Sequence, residues 1–464
     1  MAHRLSTPNS ALISRLHGWW TQNYELITRL LIIAGIFVAS IVLGVNASLL
    51  ALLGLIGVAG ALLFMQQPAL GLLVSLFAGF SVPFYGPSGL NITMLGVALL
   101  LILWILDMLV GQRGVQIANV RTARPALWLV LITILAFGVG QLPWYMTTAA
   151  PLGAQLGGLF IFVLSVGAFL VVGNQIKRLI WLQWLTWGFL AYASLYVIGW
   201  VVPLLGRYTG PLFQYGTTMS LFWLWAVSLA FSQAVFNRKL PALVRLGVGL
   251  FALLTIFVAY YYLQDWKSGW VPPLVSIGAM LGLLSPQLGI GMALASTYPA
   301  PRLLADVIGT DQYSYGTRLD AWKIVLEIVK VNPILGLGPA NYHWYTPLFP
   351  IRGYAVKFNS HSQYVDLIAQ TGLLGLACFG WFAWEMARLC WRLSRRAPEG
   401  FARAYVYGAF GGLVGTMAAG FLGDWVLPFF YNVGMNGFRS SVLSWVFLGG
   451  LVVIEQLLEE SPAA

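Results

Sequence analysis

Residues 156–174 read LGGLFIFVLSVGAFLVVGN, an apolar stretch without a single charged side chain. About 20 apolar residues let an α-helix cross the hydrocarbon core of a bilayer, so this stretch predicts a transmembrane helix. Similar runs recur along the chain, which is 59% hydrophobic and 8% charged. Soluble domains carry about 25% charged residues. The mean hydropathy of +0.82 therefore excludes a soluble globular domain, a disordered chain and a disulfide scaffold.

The 464 residues predict an all-α polytopic membrane protein with about 12–14 transmembrane helices. A β-barrel is excluded because barrel strands give short alternating segments, whereas these runs are long and continuous. We find no repeat, linker or low-complexity segment, so residues 1–464 are expected to form a single integral membrane domain. The predicted spans lie near 26–45, 48–65, 69–86, 92–110, 125–144, 156–174, 179–203, 212–235, 244–263, 268–284, 285–300, 362–387, 404–422 and 440–457.

Positive charges indicate which loops face the cytoplasm. The net charge is +11, and bacterial membrane proteins collect Lys and Arg in cytoplasmic loops. The clusters at 113–124, 238–245 and 388–403 each fall where alternating crossings require the cytoplasm. We therefore expect a multi-pass protein of the bacterial inner membrane with both termini in the cytoplasm.

The same argument places the longest polar stretch outside the cytoplasm. The span that ends near residue 263 leaves the cytoplasm, and the helix that begins near residue 362 returns to it. Residues 268–300 must then cross twice or enter the membrane and return, with breaks at Pro272, Pro273 and Pro286. Residues 301–361 become an extracytoplasmic, periplasmic loop, and loops of this length are usually functional.

The periplasmic loop contains a segment with helical periodicity. Within Tyr315–Leu326, apolar residues such as Trp322 and Val325 recur every three to four positions. This pattern predicts an amphipathic helix lying along the membrane interface. Arg318 lies in its first turn and either contacts lipid headgroups or belongs to a site. Gly336–Pro339 then predicts a tight turn.

The segment Phe358–Asp366 reads FNSHSQYVD and precedes a long apolar run. Ser360 with Gln363 three residues later is a capping-box pattern, which predicts a helix start. His361 lies at the mouth of this helix and is a candidate general base, because a neutral imidazole can accept a proton near pH 7. His343 is the other histidine expected on this side of the membrane.

Two further cations are expected on the same side. Arg207 is the only cation in the predicted turn Leu205–Pro211 between two spans. A guanidinium binds phosphate with a planar pair of donors, although anchoring to headgroups is the alternative. Lys267 is a weaker candidate of the same kind, for which pairing with Asp265 or the surface is the favoured role.

Several site types are disfavoured by what the sequence lacks. Apart from the adjacent Glu459 and Glu460, none of the fourteen acidic residues forms a close pair, which disfavours a metal site built on local carboxylates. The chain has no P-loop, dinucleotide fingerprint or zinc-ligand spacing, so no metal or bound cofactor is expected. Few acidic residues fall inside the apolar runs, and coupled transporters usually need such a group at mid-membrane.

Three motifs occur in order along the predicted periplasmic region. They are Arg-x-x-x-Trp (Arg318, Trp322), Asn-Pro-x-x-Gly-x-Gly (332–338) and Asn-Ser-His-Ser-x-Tyr with a downstream Gly-x-x-Gly (359–375). Together they resemble the O-antigen ligase and polymerase superfamily. The resemblance covers about residues 200–375, where that family also has external basic residues.

The resemblance implies a GT-C-like membrane glycosyltransferase of lipopolysaccharide or cell-surface polysaccharide assembly. It would move a glycan from undecaprenyl diphosphate to an acceptor hydroxyl at the periplasmic face, without a metal. His361 would be the general base, and Arg207 and Arg318 would bind the diphosphate. Further substrate contacts would come from Lys267, Trp322, Asn359 and Tyr364.

Alternatives remain at three points. The acceptor could be lipid A-core oligosaccharide, as in ligases, or another lipid-linked repeat unit, as in polymerases, and we favour the ligase. A lipid-linked glycan transporter or a scaffold protein would also explain the spans. The loop aromatics could stack on sugars or anchor the loop in the interface; they are Trp322, Tyr342, Trp344 and Tyr345. The turn at Lys267 also departs from the family pattern, which often has a second arginine there.

Overall fold

A computed structural model describes residues 49–86, 89–110, 117–213, 215–296 and 312–460. These residues form helices and connecting loops, and none of them forms a β-strand. The all-α prediction is therefore confirmed. The predicted span at 26–45 lies outside the described residues. The chain divides into two compact units, residues 1–66 and 67–464, and a single domain over residues 1–464 stays a prediction.

The first unit contributes one described helix, α1 (Leu49–Gln66). The helices of the second unit are α2 (Pro68–Ser81), α3 (Ile92–Val110), α4 (Val120–Val139), α5 (Leu152–Gln175), α6 (Leu179–Val201), α7 (Pro203–Phe213), α8 (Ser220–Phe236), α9 (Ala242–Tyr261), α10 (Lys267–Leu284), α11 (Pro286–Ser296), α12 (Gln312–Val329), α13 (Tyr342–Tyr345), α14 (Gln363–Arg396), α15 (Phe401–Leu422) and α16 (Phe438–Glu460).

Eight helices in the described part of the chain are long and apolar enough to cross a membrane: α3, α4, α5, α6, α9, α14, α15 and α16. The shorter helices α2 and α8 are also apolar. This arrangement confirms a polytopic α-helical membrane protein.

Helix α8 lies at the centre of the second unit and packs against α9, α10 and α15. Its Trp225 is fully buried, and the indole N–H donates to Ser444 Oγ of α16 at 2.8 Å. Ser228 Oγ donates to the Gly408 carbonyl of α15 at 2.6 Å and lies 2.9 Å from Ser276 Oγ of α10. Small hydroxyl side chains thus join helices that would otherwise share only apolar contacts.

The break predicted at Pro286 is confirmed, because α10 ends at Leu284 and α11 begins at Pro286. The breaks predicted at Pro272 and Pro273 are wrong, since both lie inside α10. Pro272 lacks the N–H that would bind the Ser268 carbonyl four residues earlier. Ser220 Oγ of α8 donates to that carbonyl at 2.5 Å and replaces the missing hydrogen bond.

Helix α14 is interrupted once, at Gly372, where the turn formed by residues 333–338 packs against it. Four backbone hydrogen bonds of 2.9–3.2 Å join residues 333–338 to residues 369–374. Gly372 has φ +69°, and a Cβ there would lie 2.0 Å from the Ile334 carbonyl oxygen. Only glycine accommodates this φ together with so close an approach. The tight turn predicted at Gly336–Pro339 is confirmed, with positive φ at both of its glycines.

Candidate functional site

The site is built on α12, which begins three residues earlier than the sequence pattern predicts. Arg318 consequently lies in the second turn of the helix rather than in its first. The apolar side of α12, with Val325 and Val329, is buried against Tyr342 and other core residues of the loop. Protein therefore covers the stripe at these positions, and the location of the helix along the membrane interface stays a prediction.

A short loop before α14 holds His361 in an uncommon backbone conformation. His361 has φ +49°, which for a residue other than glycine marks local strain or function. Neighbouring groups fix this conformation: the Trp322 indole N–H donates to the Ser360 carbonyl at 2.7 Å, and the Ser360 N–H donates to the Tyr342 hydroxyl at 3.2 Å. The helix that carries Arg318 therefore also holds the residue preceding His361.

The predicted capping box at Ser360 is wrong. Helix α14 begins at Gln363, and its N-cap is Ser362. Ser360 Oγ instead donates to Asp366 Oδ1 at 2.7 Å, while the Gln363 side chain accepts from the N–H groups of residues 426 and 427. Ser360 Oγ accepts the Ser362 N–H at 3.0 Å rather than an N–H of the first helical turn, and the Gln363 side chain is held by the loop that follows α15.

Tyr342 and Asp366 form a buried polar pair beneath the loop. The Tyr342 hydroxyl donates to Asp366 Oδ1 at 2.5 Å, and both residues are fully buried. Burial raises the pKa of Tyr342 far above its ordinary value, and the neighbouring Asp366 raises it further. Tyr342 therefore remains a neutral donor at any physiological pH.

The structure brings Arg318 and His361 into electrostatic contact. Burial lowers the pKa of His361, and the positive charge of Arg318 lowers it further. A lowered pKa keeps the imidazole neutral near pH 7, the form in which it can accept a proton. His361 is only half-buried, so one side of the ring remains open to a substrate.

His361 also contacts residues that the sequence patterns did not single out. Asn432 Nδ2 lies 3.3 Å from His361 Nδ1 and 2.5 Å from Asp424 Oδ1. Asp424 is fully buried, and its other carboxylate oxygen accepts the Phe429 N–H at 2.7 Å. Burial raises the pKa of Asp424, although its hydrogen bonds act in the opposite direction. The loop between α15 and α16 is thus part of the site.

One sequence signal could have identified this loop. Asp424 is an isolated acidic residue between the last two apolar runs, and alternating crossings put residues 423–437 on the same side as His361. Asp424 neither pairs with another acidic residue nor lies inside an apolar run, so neither of those patterns singles it out.

His343 lies on the other side of the same loop and makes different contacts. Its ring stacks on Tyr431 with centroids 4.5 Å apart, and its Nδ1 lies 2.8 Å from the Phe358 carbonyl oxygen. Because a carbonyl can only accept, Nδ1 must carry the hydrogen. Burial, with a smaller contribution from Lys357, lowers the pKa of His343.

Arg207 does not lie in a turn, as predicted, but on helix α7. Proline is compatible with a first helical turn, and Pro203 begins this helix. α7 packs against α6 and α2, whereas α12 packs against α14. Among the described residues, no hydrogen bond or ion pair connects the exposed Arg207 to Arg318 or His361.

Lys267 begins α10, and its ammonium donates to the Gln264 carbonyl at 3.2 Å. The preceding Trp266 contacts Trp425 edge to face, with centroids 5.9 Å apart. Trp425 follows Asp424 directly, so the turn that carries Lys267 adjoins the α15–α16 loop. The described residues form no ion pair between Lys267 and Asp265.

The remaining residues predicted to contact substrate differ in whether their polar atoms already have a hydrogen-bond partner within the protein. The Tyr364 hydroxyl donates to the Met417 carbonyl at 2.7 Å, and the Trp322 N–H is bound as described. Asn359 Oδ1 is buried without a hydrogen-bond partner in the described part of the chain. Sugar stacking is excluded for Tyr342 and Tyr345, because both rings are buried in the protein core.

Trp344 is half-buried beside the same loop. Its indole N–H donates to the Tyr431 hydroxyl at 2.8 Å, and Lys357 Nζ lies 3.1 Å from its ring centroid.

Within the ranges that the structure describes, no group of three His, Cys, Asp or Glu side chains is arranged to hold a metal ion.

Comparison with known proteins agrees with the motifs. Residues 215–380 match the family model described as O-antigen ligase, a range that includes Lys267, Arg318 and His361. Arg207 precedes the matched range, and Asp424 and Asn432 follow it. No curated protein matched the sequence. The match supports, over residues 215–380, the resemblance to the O-antigen ligase and polymerase superfamily that the motifs indicate.

Proposed function

We propose that the protein is a membrane glycosyltransferase that moves a glycan from undecaprenyl diphosphate to an acceptor hydroxyl. The observation that carries this proposal is the pairing of a cation, Arg318, with a half-exposed imidazole, His361, whose pKa is lowered by burial and by that cation, inside the range that matches the O-antigen ligase family. A cation beside a base suits a reaction that releases an anion and a proton together.

In this reaction the acceptor oxygen attacks the anomeric carbon while the bond to the diphosphate oxygen breaks. The electron pair of the broken bond leaves with the diphosphate, whose charge Arg318 stabilises. The hydroxyl proton passes to His361. A single in-line displacement inverts the anomeric configuration. Arg207 would bind the same diphosphate from α7, which requires the lipid donor to bridge the separation between α7 and α12.

Other residues near His361 supply contacts for the glycan. Asn359 offers a carbonyl oxygen without a partner, which suits a sugar hydroxyl. Trp322 and Tyr364 use their polar atoms within the protein, so they would contact substrate through their rings. Lys267 would reach it from the neighbouring α10 turn.

The site is expected to face the periplasm from the bacterial inner membrane. The Arg-rich end of α14, with Arg388, Arg392, Arg395 and Arg396, lies at the opposite end of this 34-residue helix from His361. Such clusters favour the cytoplasm, which also places both termini there. This orientation gives the site access to donors carried in the outer leaflet.

We favour an O-antigen ligase, with lipid A-core oligosaccharide as the acceptor, because the matched family is described as a ligase. A polymerase of the same superfamily would use a second lipid-linked repeat unit instead. Incubation of the purified protein with lipid-linked repeat units alone separates the two, since only a polymerase lengthens chains without another acceptor. Translocation in vesicles without a new glycosidic bond would instead identify a transporter.

The proposal is tested by replacing His361 with Ala and measuring glycan transfer from the undecaprenyl diphosphate donor in detergent or vesicles. We expect a loss of about 100-fold or more, in the range of general base catalysis. His343→Gln is the matched comparison, because it changes the other histidine of the same loop, and it should cost much less. Near-normal transfer by a folded His361→Ala variant would refute the base assignment.

A further inference from the structure

Asn432 is the only group described as joining His361 to a carboxylate, and its amide could serve in two orientations. The NH2 group donates two hydrogens, whereas the carbonyl oxygen accepts two. Exchange of the two ends changes the hydrogen bonds but not the shape of the side chain. The atom of Asn432 nearest His361 Nδ1, at 3.3 Å, is also 2.5 Å from Asp424 Oδ1. Whichever end occupies this position must therefore satisfy both neighbours at once.

Each protonation state of Asp424 is compatible with one orientation only. An ionised Asp424 requires the NH2 group, whose second hydrogen then goes to His361 Nδ1, so the neutral ring carries its hydrogen on Nε2. A protonated Asp424 donates to the amide oxygen, which then also accepts from His361 Nδ1–H. In that second arrangement Nε2 carries a lone pair and no hydrogen.

We propose that Asn432 is a positioning residue that couples the proton on Asp424 to the tautomer of His361. The inference rests on the proposed function in one respect, namely that His361 receives the acceptor proton. Asn432 covers Nδ1, so Nε2 is the ring nitrogen left for an acceptor hydroxyl. Nε2 is free to take that proton only when Asp424 is protonated.

Opposing effects act on the proton of Asp424. Full burial of the carboxyl favours the protonated form and raises its pKa. The hydrogen bonds that the carboxyl accepts from the N–H groups of Phe429 and Val433 and from Asn432 favour the ionised form instead. The cation that faces His361 is Arg318, and it disfavours the imidazolium. Tyr342, the remaining titratable group nearby, stays neutral.

His343 provides an internal control for this coupling. Its Nδ1 faces the Phe358 carbonyl, which accepts in every protonation state. Its neutral tautomer is therefore fixed with the hydrogen on Nδ1. Only His361 should change tautomer with the state of Asp424.

The first test observes the tautomer directly, without reference to activity. Nitrogen NMR of the full chain with isotope-labelled histidine in detergent distinguishes the two ring nitrogens, and a His361→Gln sample assigns the signal. In the wild type the His361 hydrogen should move from Nδ1 to Nε2 as the pH rises. In Asp424→Asn the new amide still accepts from Phe429 and donates to the Asn432 oxygen, so the hydrogen should stay on Nδ1 at every pH above the pKa of His361.

Asn432→Leu, at an exposed position, removes the coupling while Asp424 remains. Its His361 tautomer should no longer depend on pH. An identical pH-dependent tautomer in the wild type and both variants would overturn the proposal, as would a parallel change at His343.

The second test follows glycan transfer against pH. Wild-type transfer should fall about tenfold for each pH unit above the ionisation of Asp424, and this alkaline decline should be absent in Asp424→Asn. An unchanged alkaline decline in that variant would contradict the coupling. A tautomer switch without any glycan transfer would support the positioning role and refute the proposed enzyme activity. Glycan transfer without a tautomer switch would support the enzyme activity and refute the positioning role.

Discussion

Removal of one buried hydroxyl should measure how tightly the loop before His361 is held. Tyr342→Phe keeps the aromatic ring, which stacks on Phe429 with centroids 4.6 Å apart. It deletes the oxygen that donates to Asp366 at 2.5 Å and accepts the Ser360 N–H at 3.2 Å. The buried Ser360 N–H would be left unpaired, which costs about 1–3 kcal/mol. Asp366 Oδ1 would keep the Ser360 hydroxyl but lose one of its two hydrogen bonds, each of which is worth about 1 kcal/mol. We therefore expect the free energy of unfolding to fall by about 2–4 kcal/mol.

The matched control is Tyr345→Phe. Tyr345 lies in the same short helix and is equally buried, at 1% exposure against 0% for Tyr342. No hydrogen bond is found for its hydroxyl among the described residues, so the loss should stay below about 1 kcal/mol. Denaturant titration of both variants in detergent micelles gives the two values.

The same substitution should also reduce glycan transfer at temperatures where the variant is fully folded. Ser360 directly precedes His361, and a freed Ser360 N–H no longer opposes relaxation of the φ of +49°. If the substitution weakens acceptor binding, a higher acceptor concentration should restore part of the transfer. If it instead disturbs the proposed base, a higher acceptor concentration should not help. Equal stability of Tyr342→Phe and Tyr345→Phe would refute the reasoning, because it would mean that the buried hydroxyl contributes nothing.

Three further changes test other parts of the structure. Gly372→Ala places a Cβ 2.0 Å from the Ile334 oxygen at positive φ and should destabilise the protein by more than about 2 kcal/mol, whereas Gly380→Ala, with open space around it, should be nearly neutral in the same titration. Arg318→Ala should lower kcat/KM for the donor more than Arg318→Lys does, and equal effects would argue against two-pronged binding. Because burial raises the pKa of Asp424 in the folded state, its contribution to stability is lost as the pH rises through that pKa. Asp424→Asn should therefore gain stability over the wild type with rising pH, and a pH-independent difference measured by thermal unfolding would contradict this.

Hydropathy was sufficient to predict the helical architecture, because the bilayer imposes the same length and polarity on every span. Hydropathy was insufficient at α7, because the polar stretch Leu205–Pro211 between two predicted spans was expected to be a turn. In the structure Gly206 packs against Gly199 of α6, which allows a short helix to fold back on the preceding one. Such a contact depends on a neighbouring helix that no local pattern reveals.

The site was predictable where its residues lie close together in the sequence. Arg318 and His361 were singled out by motifs, and the structure brings them together through α12 and α14. Asp424 and Asn432 are more than 60 residues further along the chain and belong to no motif, so only the packing of α15 and α16 reveals them. The capping box at Ser360 failed for a similar reason, since the Gln363 side chain that would complete it accepts from the N–H groups of residues 426 and 427.

The two glycine motifs form one structural unit that fixes Arg318 relative to His361. Arg318 lies on α12, which leads within a few residues into the 333–338 turn, and that turn is hydrogen-bonded into α14 at Gly372. His361 lies just before the start of the same α14. Arg318 and His361 are therefore both connected, through short segments, to the hydrogen-bonded contact at Gly372. A change at Gly372 should consequently disturb the lowered pKa of His361 as well as stability, because it moves α12, and with it the charge of Arg318, relative to the ring.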